Sequence, residues 1–423
     1  MTAGDWTGKG KRRVDPDRPR PLADAVLRLI WKEKRISRAD IARLAVLSRS
    51  TVSEIVGELL PTGLVTEIGV GESRGGRRPI VLEFRDDACV ILGVEMGAKH
   101  VCVALTDLRG NILAWVCRDH PVRQDPAGTQ ALIAELCTYC LENSSLEERP
   151  LLGIGVAAPS PIDPHKPNEL SEAVMPVWGG DIGLQDLADS YGVPLMVDND
   201  ANLGALAEHW WGAGRGVDHF AYIKVATGIG AGHVIGGEIY RGATGVAGEI
   251  GHFAIDPHGK PCLCGLRGCL ATLVGGPALV DRTAELLARM PGSALADGDL
   301  TVGAIEKQAQ AGDQLALTVV REAAEHLGIA VAGLLNLMNP SLVVVGGDLA
   351  VLGDMLIAPL RETVQKRTLV SSVAAADIKA SELGPRSMAV GAATMILKAA
   401  LDDSRYFPAV DPNTGKSARS AGA

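Results

Sequence analysis

The chain has no long apolar run. Its longest nearly apolar stretch, residues 326–338, stops well short of the roughly 18 residues that a membrane span needs, so no membrane partner is expected. The first residues, MTAGDWTGKGKRR, carry no apolar stretch followed by a small-residue cleavage site. No secretory signal is read there, and the protein is expected to be cytoplasmic. A disulfide framework is not expected either, because eight cysteines in a reducing compartment point to thiols, metal ligands or buried small residues. Cys89, Cys102 and Cys117 sit singly in apolar stretches and read as buried small residues. Cys137 and Cys140 form a C-x-x-C inside ALIAELCTYCL, where i,i+3 residues of an amphipathic helix share one face. No short internal repeat stands out. What is present is 423 residues, 47% hydrophobic and 22% charged, enough for a sizeable core and two or three domains. That excludes wholesale disorder and a small stapled scaffold.

Charge is unevenly spread. Residues 1–85 hold 17 Lys+Arg against 11 Asp+Glu, a net of +6, which leaves −15 for residues 86–423. A basic front on an acidic body suits a small nucleic-acid module joined to a domain that stays off the polyanion. Residues 1–20 read as a flexible basic arm. From Pro21 helical spacing begins, with Leu22, Val26, Leu29 and Ile30 on one face. Ser37 with Asp40 three residues on marks the start of a short second helix carrying Ile41, Leu44 and Ala45. Ser48 can cap a third helix that keeps Val52, Ile55, Val56 and Leu59 on one face. Ser48, Arg49, Ser50, Thr51 and Ser53 lie on its N-terminal or opposite side. A helix, a tight turn and a second helix whose first turn is polar and basic is what DNA reading by a helix-turn-helix requires, since those residues must reach base edges. Residues 64–84 then alternate like a hairpin whose tip carries Arg74, Arg77 and Arg78 among glycines. Such a wing can enter the minor groove or grip phosphates. Residues 21–86 thus resemble a winged helix-turn-helix domain, with one departure: the turn position usually held by glycine is Val46.

From 88 to 401 strand-like runs (VILGVEMG, VCVALTDL, LLGIGVAAP, PLMVDND, FAYIKVATG, SLVVVGGD) alternate with helical stretches, the α/β pattern. The polar segment 402–423 reads as a flexible tail. Cys262-x-Cys264-x4-Cys269, with His252 ten positions ahead, offers three thiolates and one imidazole, the tetrahedral set that zinc prefers. Four protein ligands leave no open position for water, so the zinc is expected to be structural. Thr227-Gly228-Ile-Gly230-Ala-Gly232 after a strand fits a glycine loop that cradles phosphate, and equally a tight β-hairpin. The turn at Gly97 and the strand end at Gly346 and Gly347 are further nucleotide-like candidates. Asn199 and Asp200 close another strand where α/β folds place ligands, so the carboxylate can act as base on a sugar hydroxyl while the amide holds a neighbouring one. Glu249 lies three residues before His252, so the metal loop would fix both.

The ordered set GVEMG, VDNDAN, TGIGAG, GEIGH, CLCGLRGC and LNLMNPSLVVVGG resembles the ROK family (repressor, open reading frame, kinase). The resemblance implies a two-lobed, actin-like ATPase body over 88–401, with a lobe boundary near 203 and a sugar in the interlobe cleft. A fused winged helix-turn-helix implies the family's sugar-responsive regulators, which form homodimers or homotetramers. By the same resemblance Asn199, Asp200, Glu249 and His252 match sugar contacts, and Asp200 matches the catalytic base of kinase members. His252, Cys262, Cys264 and Cys269 match the zinc ligands. Kinase members carry Asp-x-Gly-Gly-Thr where this chain has Glu95-Met-Gly97-Ala98-Lys99. The carboxylate that helps position magnesium is therefore longer and the phosphate-binding threonine is gone. Phosphoryl transfer rests on positioning and charge stabilisation, so ATP and magnesium are not expected as cofactors. Ala226 replaces a usual glycine, and Ala271 stands where the family has a sugar-contacting glutamate. The sequence is therefore read as a DNA-binding repressor that senses a sugar or sugar phosphate. The alternatives are a sugar kinase with an accessory DNA-binding segment and a regulator controlled by a protein partner.

Overall fold

Pro21 can open a helix because its missing N–H would have no intrahelical partner there, and the first helix, α1, spans Pro21–Glu33. Ala23, Val26, Leu27 and Ile30 form its buried stripe, while Leu22, expected inside, is exposed. A true 3.6-residue period selects 23, 26, 27 and 30, which puts Leu22 beyond the stripe's edge. A short strand, β1 (Arg35–Ser37), follows, which periodicity had not shown. Ser37 then caps α2 (Arg38–Leu44) as expected, its Oγ accepting from the Asp40 amide at 3.1 Å while donating to the Asp40 carboxylate at 2.7 Å. Ile41 is buried and Leu44, expected beside it, is exposed. Ser48 likewise caps α3 (Arg49–Leu59), accepting from the Thr51 amide at 3.1 Å, and Val52, Ile55, Val56 and Leu59 are its buried face. β2 (Val65–Val70) and β3 (Ile80–Phe84) pair antiparallel, and the sheet order β1-β3-β2 completes a winged three-helix unit.

The computed structural model describes residues 20–70, 80–144, 149–368 and 376–408. The arm 1–19, the tip arginines Arg74, Arg77 and Arg78, and the segment 409–423 lie outside the described residues. Contacts divide the chain into two compact units, 1–86 with 398–423 and 87–397.

In the second unit β4 (Val90–Met96), β5 (His100–Thr106), β6 (Ile112–Asp119), α4 (Pro126–Glu142), β7 (Leu151–Ala158), α5 (Gln185–Tyr191) and β8 (Leu195–Asn199) build a first lobe. Its sheet runs β6-β5-β4-β7-β8, antiparallel on the β6 side and parallel on the β8 side. α6 (Asp200–Trp211) leads into the second lobe: β9 (His219–Val225), β10 (Ile229–Ile235), β11 (Glu238–Tyr240), α7 (Ala271–Val274), α8 (Gly276–Leu287), α9 (Val302–Gln310), α10 (Gln314–Met338), β12 (Leu342–Gly346), α11 (Asp354–Arg367), β13 (Asp377–Ala380) and α12 (Ser387–Asp402). The second sheet runs β11-β10-β9-β12-β13 with the same pattern of directions, so the lobes repeat one topology that no short sequence period announced. β4 and β12 are buried along their whole length, which is why both read as apolar runs, broken in β4 by Glu95 alone.

Two expectations about cysteine are corrected. Cys102 and Cys117 face each other directly across β5 and β6, with Cα atoms 4.1 Å apart, and are joined in a disulfide, and Cys117 is exposed. Strand register, invisible in spacing, brings them together. Cys137 and Cys140 share the buried face of α4, and burial pushes their thiols up to about 12 and about 11. The segment after Asp402, read as a tail, starts with an ordered turn, Ser404–Tyr406, and Phe407 is buried. Asp24 of α1 accepts from the Ser404 amide at 3.0 Å, and Arg28 donates to Asp402 at 2.6 Å. Among the described residues no helix is long and apolar enough to cross a membrane.

Candidate functional site

The first turn of α3 presents what DNA reading needs. Ser48, Arg49, Ser50 and Ser53 are exposed and Thr51 is half-buried. The Ser48 hydroxyl lies 2.7 Å from that of Ser50 and 2.8 Å from that of Thr51, so the polar end of the helix is knitted together before any ligand arrives. The turn ahead of it is reached through Val46 at φ +54°, the left-handed region that glycine would enter without strain. Val46 is 89% exposed, so no packing compensates for that conformation.

The second unit gathers polar groups at the carboxyl end of β8. Asn199 uses its side-chain oxygen to cap α6, accepting from the amides of Ala201 at 3.0 Å and Asn202 at 3.3 Å, and its Nδ2 donates to the Ser160 carbonyl at 3.1 Å. One N–H of that amide remains free to donate to a ligand. Asp200, at the first position of α6, is buried and accepts from the Lys224 ammonium of β9 in a buried ion pair. Asp198, which sequence reasoning had not singled out, receives two guanidinium nitrogens of Arg241 on Oδ2 at 2.9 and 2.6 Å. Its Oδ1 accepts from the Asn199 amide at 2.7 Å and from Asn202 Nδ2 at 3.2 Å. It therefore holds the two ends of the strand–helix corner that carries Asn199 and Asp200.

Glu249 enters from the loop after β11. Gly248 has φ +102°, a Cβ there would run into the Ala231 carbonyl oxygen, and its own carbonyl accepts from the Ala231 amide at 2.7 Å. Only glycine lets the loop lie so close to β10. Partial burial, and then the charge of Asp200, hold the Glu249 carboxyl above the usual carboxylate range. The two expected sugar contacts are thus near enough to sense each other. His252 Nε2 stands 3.9 Å from Glu249, so the same imidazole faces the carboxylate on one side and the cysteines on the other. Ala271 opens α7, half-buried.

The glycine-rich candidates are largely hairpin and packing positions. Gly97 donates its amide to the His100 carbonyl at 2.9 Å within the β4–β5 turn, and the His100 imidazole lies over it. Thr227 and Gly228 form the tip of the β9–β10 hairpin, where the Ala226 amide donates to the Gly228 carbonyl at 3.0 Å. Gly230 and Gly232 are where α6 lies against β10: a Cβ on Gly232 would meet the Ala201 carbonyl oxygen. Gly346 ends β12 against the Tyr222 ring. Gly347 borders a cavity of about 630 Å³ that also takes Asp348 and Glu306 into its wall. Burial, and then Asp348, push the Glu306 carboxyl up to about 7, and its Oε1 is buried without a hydrogen-bond partner.

One imidazole nitrogen of His252 and the Sγ atoms of Cys262, Cys264 and Cys269 all lie within 4.8 Å of one another, with 3.5 Å between His252 Nδ1 and Cys262 Sγ and 3.6 Å between Cys264 and Cys269. Thiolates on one tetrahedral zinc, each about 2.3 Å from it, stand about 3.8 Å apart. The donor set and its spacing fit that ion. The Cys262 amide donates to the Leu266 carbonyl at 2.8 Å, and Gly265 and Gly268 turn through positive φ to close the knuckle.

The ROK family pattern matches residues 91–399 of this chain. The xylose repressor of Bacillus subtilis (strain 168) is 30% identical over 378 residues, covering 89% of this chain and 95% of that protein. The DNA-binding transcriptional dual regulator NagC of Escherichia coli (strain K12) is 30% identical over 380 residues, covering 89% and 92%. A solved ROK family transcriptional regulator, a homologue of the E. coli MLC protein, superposes with a TM-score of 0.78 at 26% identity over 91% of this chain and 97% of that one. A ROK family glucokinase from Streptomyces griseus, solved with glucose and AMPPNP, superposes with a TM-score of 0.64 at 28% identity over 72% of this chain and 98% of that one. The first regulator spans both units and the kinase only the larger share of the chain, so the body has the two-lobed actin-like ATPase fold and the chain belongs to the ROK family.

Proposed function

We propose that the chain is a sugar-responsive transcriptional repressor: it binds a DNA operator through α3 and the wing, and a sugar held near Asn199, Asp200 and Glu249 alters that binding. The observation that carries this reading is one polypeptide in which an exposed, prearranged Ser48–Arg49–Ser50 helix start accompanies a ROK body. Relatives bearing the names xylose repressor and N-acetylglucosamine repressor support a sugar as effector, and make xylose and N-acetylglucosamine the first two to try. Zn²⁺ held by His252, Cys262, Cys264 and Cys269 would fix the loop that carries Glu249, a structural role that needs no open coordination position. As a homodimer or homotetramer the protein would read two half-sites about one helical turn apart, or a multiple of it. The sugar can act only by binding the DNA-competent and incompetent states unequally.

Fluorescence anisotropy on the DNA upstream of its own gene, at one stated salt concentration with and without each sugar and sugar phosphate, tests the reading. Specific binding that one sugar weakens or strengthens supports it. Specific binding indifferent to every sugar points instead to control by a protein partner. No specific binding, together with sugar-dependent consumption of ATP, replaces it with a kinase.

A further inference from the structure

The β4–β5 turn departs from the kinase pattern and has no role in the repressor reading, yet strand register gathers donor groups beside it. Glu95 of β4 pairs with Cys102 of β5, and Cys102 pairs with Cys117 of β6, so the three form one row across adjacent strands. Directly opposed residues share a face of the sheet, and His100, two positions before Cys102, joins that face. One ligand atom each from Glu95, His100 and Cys102 lies within 4.8 Å of the other two, the second such group beside the knuckle among the described residues. Glu95 Oε1 stands 3.3 Å from His100 Nε2. That is long for an N–H···O bond, which prefers about 2.9 to 3.0 Å, and it matches an oxygen and a nitrogen each about 2.0 to 2.1 Å from one tetrahedral zinc. The other carboxylate oxygen, Oε2, is buried with no hydrogen-bond partner on a side chain only 2% exposed. A carboxylate so far removed from water needs a cation or further donors. The His100 side chain is 29% exposed and leaves a way in from solvent.

We propose that Glu95, His100 and the Cys102 thiolate form a second zinc site, built from residues other than the knuckle's, that exists only while the Cys102–Cys117 disulfide is open. Thiolate and imidazole select Zn²⁺ over the Mg²⁺ that carboxylates alone would serve. Two electrons and two protons from a dithiol reductant convert the Cys102–Cys117 bond to two thiols, and the reductant leaves as its own disulfide. Cys117 is exposed, so the reductant reaches the bond from that side. Cys102 then passes its proton to solvent as its sulfur takes the ion, and the imidazole binds in its neutral form. Cys117 is not one of the converging groups, which leaves the fourth coordination position to water. In the oxidised chain the Cys102 sulfur is committed to the S–S bond, and the carboxylate and imidazole that remain are too few to hold zinc. The site stands or falls independently of the sugar reading.

The test uses the full-length protein with zinc already in the knuckle, prepared once with a phosphine reductant and once with a mild oxidant, the state of the disulfide being read by peptide mass mapping. Bound zinc is counted after dialysis against micromolar Zn²⁺, and Co²⁺ titration follows sulfur-to-metal charge-transfer absorption. Co²⁺ binds such sites less tightly than Zn²⁺ and leaves the knuckle occupied. Reduced wild type should take up a second equivalent of zinc and develop the thiolate–cobalt band, and oxidised wild type should do neither. Cys117→Ser, which keeps the three ligands and cannot form the disulfide, should bind the second ion with or without reductant. Cys102→Ser should lose both the second ion and the band, and Glu95→Gln and His100→Asn should lose the second ion while keeping the knuckle's. The proposal is overturned by a reduced wild type that holds only the knuckle zinc, by oxidised protein that binds the second ion as tightly as reduced, or by a second ion that persists in Cys102→Ser. Should Cys102→Ser fail to fold, Cys117→Ser decides: failure to bind the second ion without reductant also overturns it.

Discussion

At the scale of single residues, two positions are in conflict with their surroundings. Val46 holds φ +54° on an exposed turn, where a branched side chain gains nothing from packing. Val46→Gly should stabilise the DNA-binding unit by about 1 kcal/mol, the cost of the left-handed region less the greater chain entropy of glycine, and denaturant titration would register it. A loss of stability would mean that the valine has a partner in the turn. Glu306 has its folded-state carboxyl raised to about 7 by burial and Asp348. A carboxyl raised on folding favours the folded state at low pH, and this contribution is lost as pH climbs from the ordinary carboxylate value through 7. Glu306→Gln should therefore melt higher than the wild type at pH 8 and show little difference at pH 4, with the crossover in between. His100 is raised by its hydrogen bond to Glu95 against the effect of burial, so that pair helps most below its ordinary value of 6.5 and less as pH rises above it.

Elements decide how far those residues can be held in place. The knuckle from Pro261 to Arg267 has few apolar contacts of its own, and Leu263 is 95% exposed. A metal is the economical way to keep such a loop in one shape, because binding free energy becomes folding free energy. Stripping zinc with a strong chelator should loosen the Glu249 loop, raise hydrogen exchange there and weaken sugar binding, while exchange in α3 stays unchanged. Retained sugar affinity in metal-free protein would sink that role. At the other end of the chain, Asp24 is a buried carboxylate whose partner is the Ser404 amide. Truncation after Asp402 removes that donor and the buried Phe407, so the DNA-binding unit should lose roughly 2 to 4 kcal/mol. Thermal unfolding followed by operator titration would reveal it, and unchanged melting would show the segment to be dispensable.

For the whole molecule, charge separates the two tasks. The basic front pairs with a polyanion, so the logarithm of operator affinity should fall linearly with the logarithm of salt concentration. Binding of an uncharged sugar to the acidic body releases no comparable set of counterions. Its affinity, read by calorimetry across the same salt series, should hardly change, and a steep fall would point to an anionic effector.

Much of the architecture was legible because it depends on short-range pattern. Largely buried strands such as β4, β7, β9 and β12 need apolar runs, broken here by Glu95 in β4 and Lys224 in β9, and serines such as Ser37 and Ser48 are strongly preferred as caps at helix starts. The metal set is local too, since its four ligands fall within 18 residues. Short edge strands such as β1, β11 and β13 escaped because three or four residues carry no period. Lys224 offered a signal, a lone charge in an apolar strand, whose meaning lay 24 residues away in Asp200. The sequence by itself determined the family, the two-part plan and most candidate ligands, because those rest on residue types and local spacing. Only the tertiary structure decided that Asp198 is locked by Arg241, that Asp200 is paired with Lys224, that Cys102 meets Cys117 and that the chain end returns to α1. Each of these joins groups far apart in sequence, and their partners are set by strand register and sheet order, which no local pattern encodes.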